Sequence, residues 1–473
     1  MNILTYYPQL SLVLQPFRKN KVQAFLVGGA VRDYYLKRPG CHDFDFALKT
    51  GSIPFARRFA RLIKVAFVLL DKEHGSARVV KKEGGQIVTF DFTDWRGKSI
   101  QEDVSLRDFT VNAMAVDVML PQEDFEEVHL PSTQRDLAKG VVRMVNPKVF
   151  KDDPLRLLRA YVLWASLGFK IEARTKAQIK KDAYLISSVA TERIRDEIFK
   201  ILASSRAYEV LSEMDKIGLL PQVIPQIMVM YKVPQGGYHH LDVWEHSLET
   251  VAQLEKMTPL LEKAPQRKEY LAQALGGGHT RLSLLKMAAL LHDIGKPETM
   301  RQEKEKKSFH GHEHVGESIV RQIAKQLKLS VKERYFLEDA VRMHLRPGYL
   351  SNFKRPGPRA VFRYFRDAGD EAASLAVLAL ADQAATRGPL TTKAKHAHHA
   401  KICQMLIDKY FALKEEKPKD RLLTGKDLIK ILKLKPSPLF GKILRHIEES
   451  AALGKITTKD EALVLARQLI VDG

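Results

Sequence analysis

Cysteine is nearly absent: Cys41 and Cys403 are the only two in 473 residues, and they lie far apart. That excludes a disulfide framework or a cysteine-based zinc site as the organising element. Long apolar runs are missing too. The best of them, Leu375 to Ala381, falls far short of the roughly 18–20 residues needed to cross a bilayer, so no spanning helix is expected. Met1 to Tyr7 has neither the basic segment nor the small-residue cleavage site of a secretory signal. No Gly-x-x-x-x-Gly-Lys-Ser/Thr sequence occurs, which removes the P-loop ATPases. Negative charge is also scarce, since 56 acidic residues face 77 lysines and arginines, for a net charge of +21. Such a surplus implies a polyanionic partner, either nucleic acid or an anionic membrane surface. With 45% apolar residues the chain has material for several cores, and it reads as a cytoplasmic protein of two to four domains that handles nucleic acid.

The first 145 residues mix short β-type runs with helices. Ala24 to Val27, Phe44 to Leu48, Val65 to Leu70, Arg78 to Val80 and Ile87 to Phe92 read as strands bounded by Gly, Asp and Lys. After Asp152 helical periodicity takes over, as in Leu155, Leu158, Val162 and Ala165. Lys263 to His279 reads as a loop-like insertion, and Glu415 to Asp420 as a charged separator before a C-terminal piece. Thr458 and Glu461 have capping-box spacing and are expected to open the last helix.

Leu26-Val27-Gly28-Gly29-Ala30-Val31-Arg32-Asp33 is a strand, a glycine turn and a helix start. Two glycines let the backbone approach a phosphate, helix-start amides favour negative charge, and Arg32 adds a fork of donors. Taken alone, such a turn is as often only a turn. Next comes His42-Asp43-Phe44-Asp45-Phe46. Residues two apart on a strand share a side, so Asp43 and Asp45 face one way while Phe44 and Phe46 pack beneath. Paired carboxylates repel unless a cation joins them, and hard oxygen donors suit Mg²⁺, which also holds phosphates. A phosphate turn close to a Mg²⁺ pair is what in-line nucleotidyl transfer requires. Asp91 offers a third carboxylate, in competition with Asp94.

These residues, followed by Arg107-Asp108-Phe109-Thr110-Val111-Asn112-Ala113, resemble the class II tRNA nucleotidyltransferase and bacterial poly(A) polymerase family. The resemblance runs through Asp136 to Gly140, a hinge segment, to Asp152-Asp153-Pro154-Leu155-Arg156 and Glu192-Arg193 to Glu197, covering roughly residues 20–210. Asp152 departs from the family's usual Glu. The resemblance implies that Asp43 and Asp45 hold two Mg²⁺ ions and activate an RNA 3′-hydroxyl. It implies that Gly28, Gly29 and Arg32 hold a triphosphate, and that Arg107, Asp108 and Asn112 face ribose and phosphates. It further implies that Asp153 and Arg156 read the incoming base, with Arg159 one turn along the same helix as helper. Asp153 and Arg156 also have the spacing of an ordinary i, i+3 helix ion pair.

The middle of the chain carries His246, the doublet His292-Asp293 after an apolar run, His344 and Asp382. Imidazole and carboxylate together suit transition metals or Mg²⁺. His246, His292, Asp293 and Asp382 resemble the His…His-Asp…Asp pattern of the HD phosphohydrolase superfamily, with one imidazole of Phe309-His310-Gly311-His312-Glu313-His314 expected nearby. That resemblance implies hydrolysis of phosphomonoesters or 2′,3′-cyclic phosphates, or a degenerate module that only supports RNA.

Basic residues are spread throughout, with concentrations at Lys176, Lys180 and Lys181, from Lys304 to Lys307, and from Lys426 to Lys442. A tRNA acceptor arm would meet such a flank through its phosphates. The C-terminal run from Leu423 to Leu444 resembles the same segment of HD-bearing members. The expectation is a polymerase-β-like α/β head (1–145), a helical neck (146–215), an HD-type helical body (216–390) and a helical tail (391–473). The expected activity is template-independent addition of CCA to tRNA from CTP and ATP. Rival expectations are a poly(A) polymerase, a CC-only or A-only enzyme, an HD phosphohydrolase with an RNA-binding head, or a non-catalytic RNA-binding protein.

Overall fold

The computed structural model describes residues 3–84, 86–119, 127–303, 306–416 and 421–471. Parts of the 304–307 run and of the 415–420 separator lie outside the described residues. The chain forms two compact units, 1–206 with 213–223, and 207–212 with 224–473.

The first unit is built on a seven-stranded sheet. Its strands are β1 (Ala24–Val27), β2 (Asp43–Leu48), β3 (Ala66–Asp71), β4 (Ser76–Glu83), β5 (Gln86–Asp94), β6 (Met114–Asp117) and β7 (Glu127–His129), in the order β3-β4-β5-β2-β1-β6-β7. β2 runs parallel to β5 and antiparallel to β1. Alternation along each strand divides the side chains between two apolar layers. Leu26, Phe44, Phe46, Phe90 and Phe92 enter one layer, while Phe25, Val27 and Ala47 enter the other. The first layer is rich in rings: Phe17 of α1 (Ser11–Lys19) stacks on Phe55 of α3 (Ser52–Leu62) at 4.6 Å, and Phe46 stacks on Phe92 at 5.4 Å. Each such fully buried side chain contributes on the order of 1.5–3 kcal/mol. These rings hold β2 rigidly from below, so the carboxylates on its opposite face have a fixed base. α2 (Gly29–Tyr35) follows β1, and α4 (Arg156–Leu167) packs against α5 (Thr191–Ala203) in the helical part.

The second unit is helical. Its principal helices are α6 (Val243–Leu261), α7 (Arg281–Leu291), α8 (His312–Gln326), α9 (Val331–Met343), α10 (Arg346–Ser351), α11 (Pro358–Ala368), α12 (Ala372–Ala385) and α13 (Lys393–Glu415), followed by α14 (Pro438–Ala452) and α15 (Lys459–Val471). The apolar run Leu375 to Ala381 lies in α12, where all its residues but Leu380 are buried. A helix apolar on nearly every side belongs inside a bundle, and α12 packs on α6, α7, α9, α11 and α13. No helix among the described residues is long and apolar enough to cross a membrane.

The expected loop over Lys263 to His279 is structured. Pro265–Ala272 is helical, and Ala274–Leu275 pairs with His279–Thr280 around the three glycines. Pro265 at the first helical turn is the start signal that the glycine cluster obscured. At the other end of the unit, the Thr458 hydroxyl accepts from the Glu461 amide and the Glu461 carboxylate accepts from the Thr458 amide, as the spacing predicts.

Candidate active sites

In the first unit, β1 ends at Gly28, whose φ of 73° a side chain would strain. A Cβ there would stand 3.5 Å from Asp45 Oδ2 and 3.6 Å from Arg107 Nη1, so the turn passes in close contact with both. Asp43 and Asp45 share the open face of β2, and Asp45 lies directly in register with Asp91 on β5. Thr89 donates its hydroxyl to Asp43. Crowding by protein strips hydration from Asp45; this, with the Asp91 charge beside it, pushes its carboxyl up to about 6, against the pull of Arg107 and Arg159. A set of hard oxygen donors short of positive charge fits a divalent cation of the Mg²⁺ type.

The cationic side of the cleft is held by internal pairs. Arg32 donates to Asn112 Oδ1 at 2.7 Å and to Asp33 at 2.9 Å. Arg107 is clamped by buried Asp103 at 2.8 Å, and Asp103 also accepts from the Arg96 amide at 3.0 Å. Asp108 is buried and accepts from the Phe109 amide and from Asn112. Its burial alone would raise its carboxyl, but Arg159, at 3.5 Å, and Arg156 outweigh that and hold it below the usual range. Gly28, Gly29, Asp45, Arg96, Asp103, Arg107, Asp108, Asn112, Arg156 and Arg159 thus border one cleft. Arg96 and Asp103 carried no motif; the i, i+4 spacing of Asp103 and Arg107 was the signal available.

Asp153 departs from expectation. It is not on the helix of Arg156 and Arg159, and it does not border the cleft. Its φ of -148° and ψ of 100° are extended, because Pro154 disfavours helix in the residue before it. Its carboxylate pairs with Arg193 at 3.1 Å rather than with Arg156. Arg156 is buried and donates to the carbonyls of Val149 and Leu106, and its Nε has no hydrogen-bond partner among the described residues. The hinge segment is likewise anchored: Asp136 is buried against Arg143 and Thr110, and Gly140 ends its helix with a φ of 63°.

In the second unit His246, His292, Asp293 and Asp382 converge, joined by His312 and His344. His246 Nε2 lies 2.9 Å from Asp382, and His292 Nε2 lies 3.2 Å from Asp293 Oδ2. The other Asp293 oxygen faces His312 Nε2 at 3.3 Å and His344 Nε2 at 3.7 Å. His292, His312 and His344 each turn Nδ1 to a backbone carbonyl three residues earlier, at 2.6–2.9 Å. These bonds aim each Nε2 inward, the arrangement that orients metal-binding imidazoles. His246, His292 and Asp382 form one potential ligand group, and Asp293, His312 and His344 a second. His292 Nε2 is buried and makes no well-formed hydrogen bond among the described residues. Burial would lower His292, but facing Asp293 and Asp382 it is pushed up to about 10. Such a mixed donor set fits a transition metal. Lys296, three residues after Asp293, donates to it and to Gln235, both at 2.6 Å. The sequence pointed to His344 and the 309–314 cluster without choosing His312; only the packing of α8 makes that choice.

Residues 24–143 match the family model described as poly A polymerase head domain, 243–387 the HD domain model, and 375–466 a tRNA nucleotidyltransferase domain 2 model. The A-adding tRNA nucleotidyltransferase of Deinococcus radiodurans is 33% identical over 450 residues, spanning 93% of this chain and 94% of that protein. The CC-adding tRNA nucleotidyltransferase of Thermus thermophilus is 30% identical, spanning 94% and 93% respectively. The Thermotoga maritima CCA-adding enzyme complexed with tRNA shares the fold, with a TM-score of 0.62 at 18% identity, over 100% of this chain and 98% of that one.

Proposed function

The chain belongs to the tRNA nucleotidyltransferase family, and on that premise we propose that it builds or repairs the tRNA 3′-CCA end, adding C and A from CTP and ATP without a template. The observation that carries this reading is the Asp43–Asp45 pair beside the Gly28-Gly29 turn. The division into head (1–145), neck (146–215), HD body (216–390) and tail (391–473) is part of the same proposal.

Asp43 and Asp45 would hold Mg²⁺, which when bound favours the 3′-oxyanion and offsets the charge gathering on the pyrophosphate. Asp91 is the third carboxylate within reach of that position. Gly28 and Gly29 leave room for phosphate oxygens, and Arg32 donates to them from a position fixed by Asn112. Arg107, held by Asp103, adds positive charge where the triphosphate lies, while Asp108 and Asn112 face the ribose. Arg156 and Arg159 bring donors to the base. Asp153 completes the pair only by leaving Arg193, so base reading involves exchange of that ion pair. The RNA 3′-hydroxyl releases its proton to solvent as its oxygen attacks the α-phosphorus in line. The bond from that phosphorus to the α,β-bridging oxygen breaks, and pyrophosphate departs.

A second reading, addition of only CC or only A, is favoured by the full-length similarity to an A-adding and a CC-adding relative. Labelled CTP or ATP offered with tRNAs ending before CCA, after C, or after CC separates these products by length on one gel. Runs longer than three residues from ATP alone would instead indicate poly(A) synthesis. For the HD body we propose phosphomonoester or 2′,3′-cyclic phosphate hydrolysis, supported by the six inward-facing ligands. Asp43→Ala with Asp45→Ala tests both assignments, since incorporation should vanish while hydrolysis persists.

A further inference from the structure

Two large aromatic rings stand exposed in the second unit, Tyr349 on α10 and Phe353 just past its end: they are 55% and 60% exposed. Together with Arg346, Arg359 and Arg363 they border a groove of about 560 Å³. The surrounding face is strongly basic. Arg346 and Arg366 pair with Asp367, while Arg359 and Arg363 share the single buried carboxylate of Glu449. Lys354 and Arg355 are exposed and make no ion pair among the described residues. Glu313 is a third acid, facing Tyr349. Six cations against three carboxylates leave the face positive.

Exposed rings set among arginines and lysines are the composition of a surface that stacks bases and pairs phosphates. Apolar side chains this open call for a cover, and the unspent positive charge calls for a polyanion. RNA supplies both. We propose that this face is an RNA-docking platform on which unpaired bases of the tRNA substrate stack against Tyr349 and Phe353, while Lys354, Arg355 and Arg359 meet its phosphates. The proposal rests on the tRNA reading above and extends it to a surface remote in sequence from the nucleotide motifs.

The test measures tRNA affinity of the full chain across a salt series, together with nucleotide incorporation at saturating tRNA. Phe353→Ala and Tyr349→Ala should each weaken binding roughly five- to a hundredfold, with kcat unchanged and KM for tRNA raised. Phe353→Tyr should retain affinity, whereas Phe353→Leu, which keeps apolar bulk without a ring, should lose it. Removing Lys354 and Arg355 together should lower the slope of log affinity against log salt by about two. Wild type that binds tRNA, with variants that bind equally well, overturns the platform alone. Wild type that neither binds nor extends tRNA overturns the tRNA reading and the platform together. Loss of binding to anionic phosphatidylserine vesicles with tRNA affinity intact would reassign the face to a membrane and also overturn it.

Discussion

Asp91 lies in register beside Asp45, yet both of its oxygens are taken by Arg78, through two hydrogen bonds of 2.7 Å. The pair gives Asp91 a fixed orientation and a directly bound cation, whereas among the described residues no ion pair holds Asp43 or Asp45, and Arg107 and Arg159 act on Asp45 without bonding to it. Asp91→Asn is therefore expected to lower kcat about tenfold and raise the Mg²⁺ concentration for half-activity severalfold. Asp45→Asn should cost roughly a thousandfold or more, because it removes a carboxylate that, on the proposed function, holds the Mg²⁺ stabilising the attacking oxygen and the departing pyrophosphate. Steady-state incorporation at varied Mg²⁺ checks the ordering, and equal losses at the two positions would contradict it.

His292→Ala and Asp293→Ala remove donors from the histidine cluster only. Metal-dependent hydrolysis of 2′,3′-cyclic phosphate should fall at least a hundredfold, while CTP and ATP incorporation stays within about twofold. Paired assays on the same preparation make this comparison, and a parallel fall in both would tie the reactions to one centre.

Gly295 has an ordinary φ of -83°, so its role is close approach. A Cβ there would collide with the His312 carbonyl and the Gly316 amide. Gly295→Ala should destabilise the second unit by about 1–3 kcal/mol through overpacking. It should also shift His312 out of reach of Asp293. Thermal unfolding reports the first effect and metal titration the second.

Glu333 is buried and accepts from His279 and from the Ser330 amide in a capping box. Burial would raise its carboxyl, but the His279 and Ser330 hydrogen bonds prevail and hold it at about 2. A depressed carboxyl stabilises the fold above its unfolded value near 4.5 and loses that contribution as pH falls toward 2. Glu333→Gln should therefore cost about 1–3 kcal/mol above pH 4.5, with the gap to wild type closing between pH 4.5 and 2. Denaturant midpoints at several pH values follow the gap; a difference independent of pH would refute the assignment.

Local chemistry made much of this molecule legible. The alternation Asp43-Phe44-Asp45-Phe46 fixes which side chains face water and which face the rings, and the structure keeps that division. Leu375 to Ala381, read from the sequence only as too short to cross a bilayer, lies in a helix enclosed by others, buried at every position but Leu380. What the sequence concealed depends on non-local geometry. Pro154 breaks the helix between Asp153 and Arg156, so spacing alone mispairs them. Asp153 finds Arg193 forty residues on, and no local pattern announces that partner. His312 was one of three neighbouring imidazoles, and its selection needs the contact of α8 with Gly295.

That contact also bears on inheritance. Every ligand of the histidine cage comes from the second compact unit, and every residue bordering the nucleotide cleft from the first. One added methyl at position 295 would disturb the histidine cage and leave the carboxylate pair untouched. A lineage can thus lose one of the two sites by a single codon change and keep the other, so descendants of this architecture need not retain both.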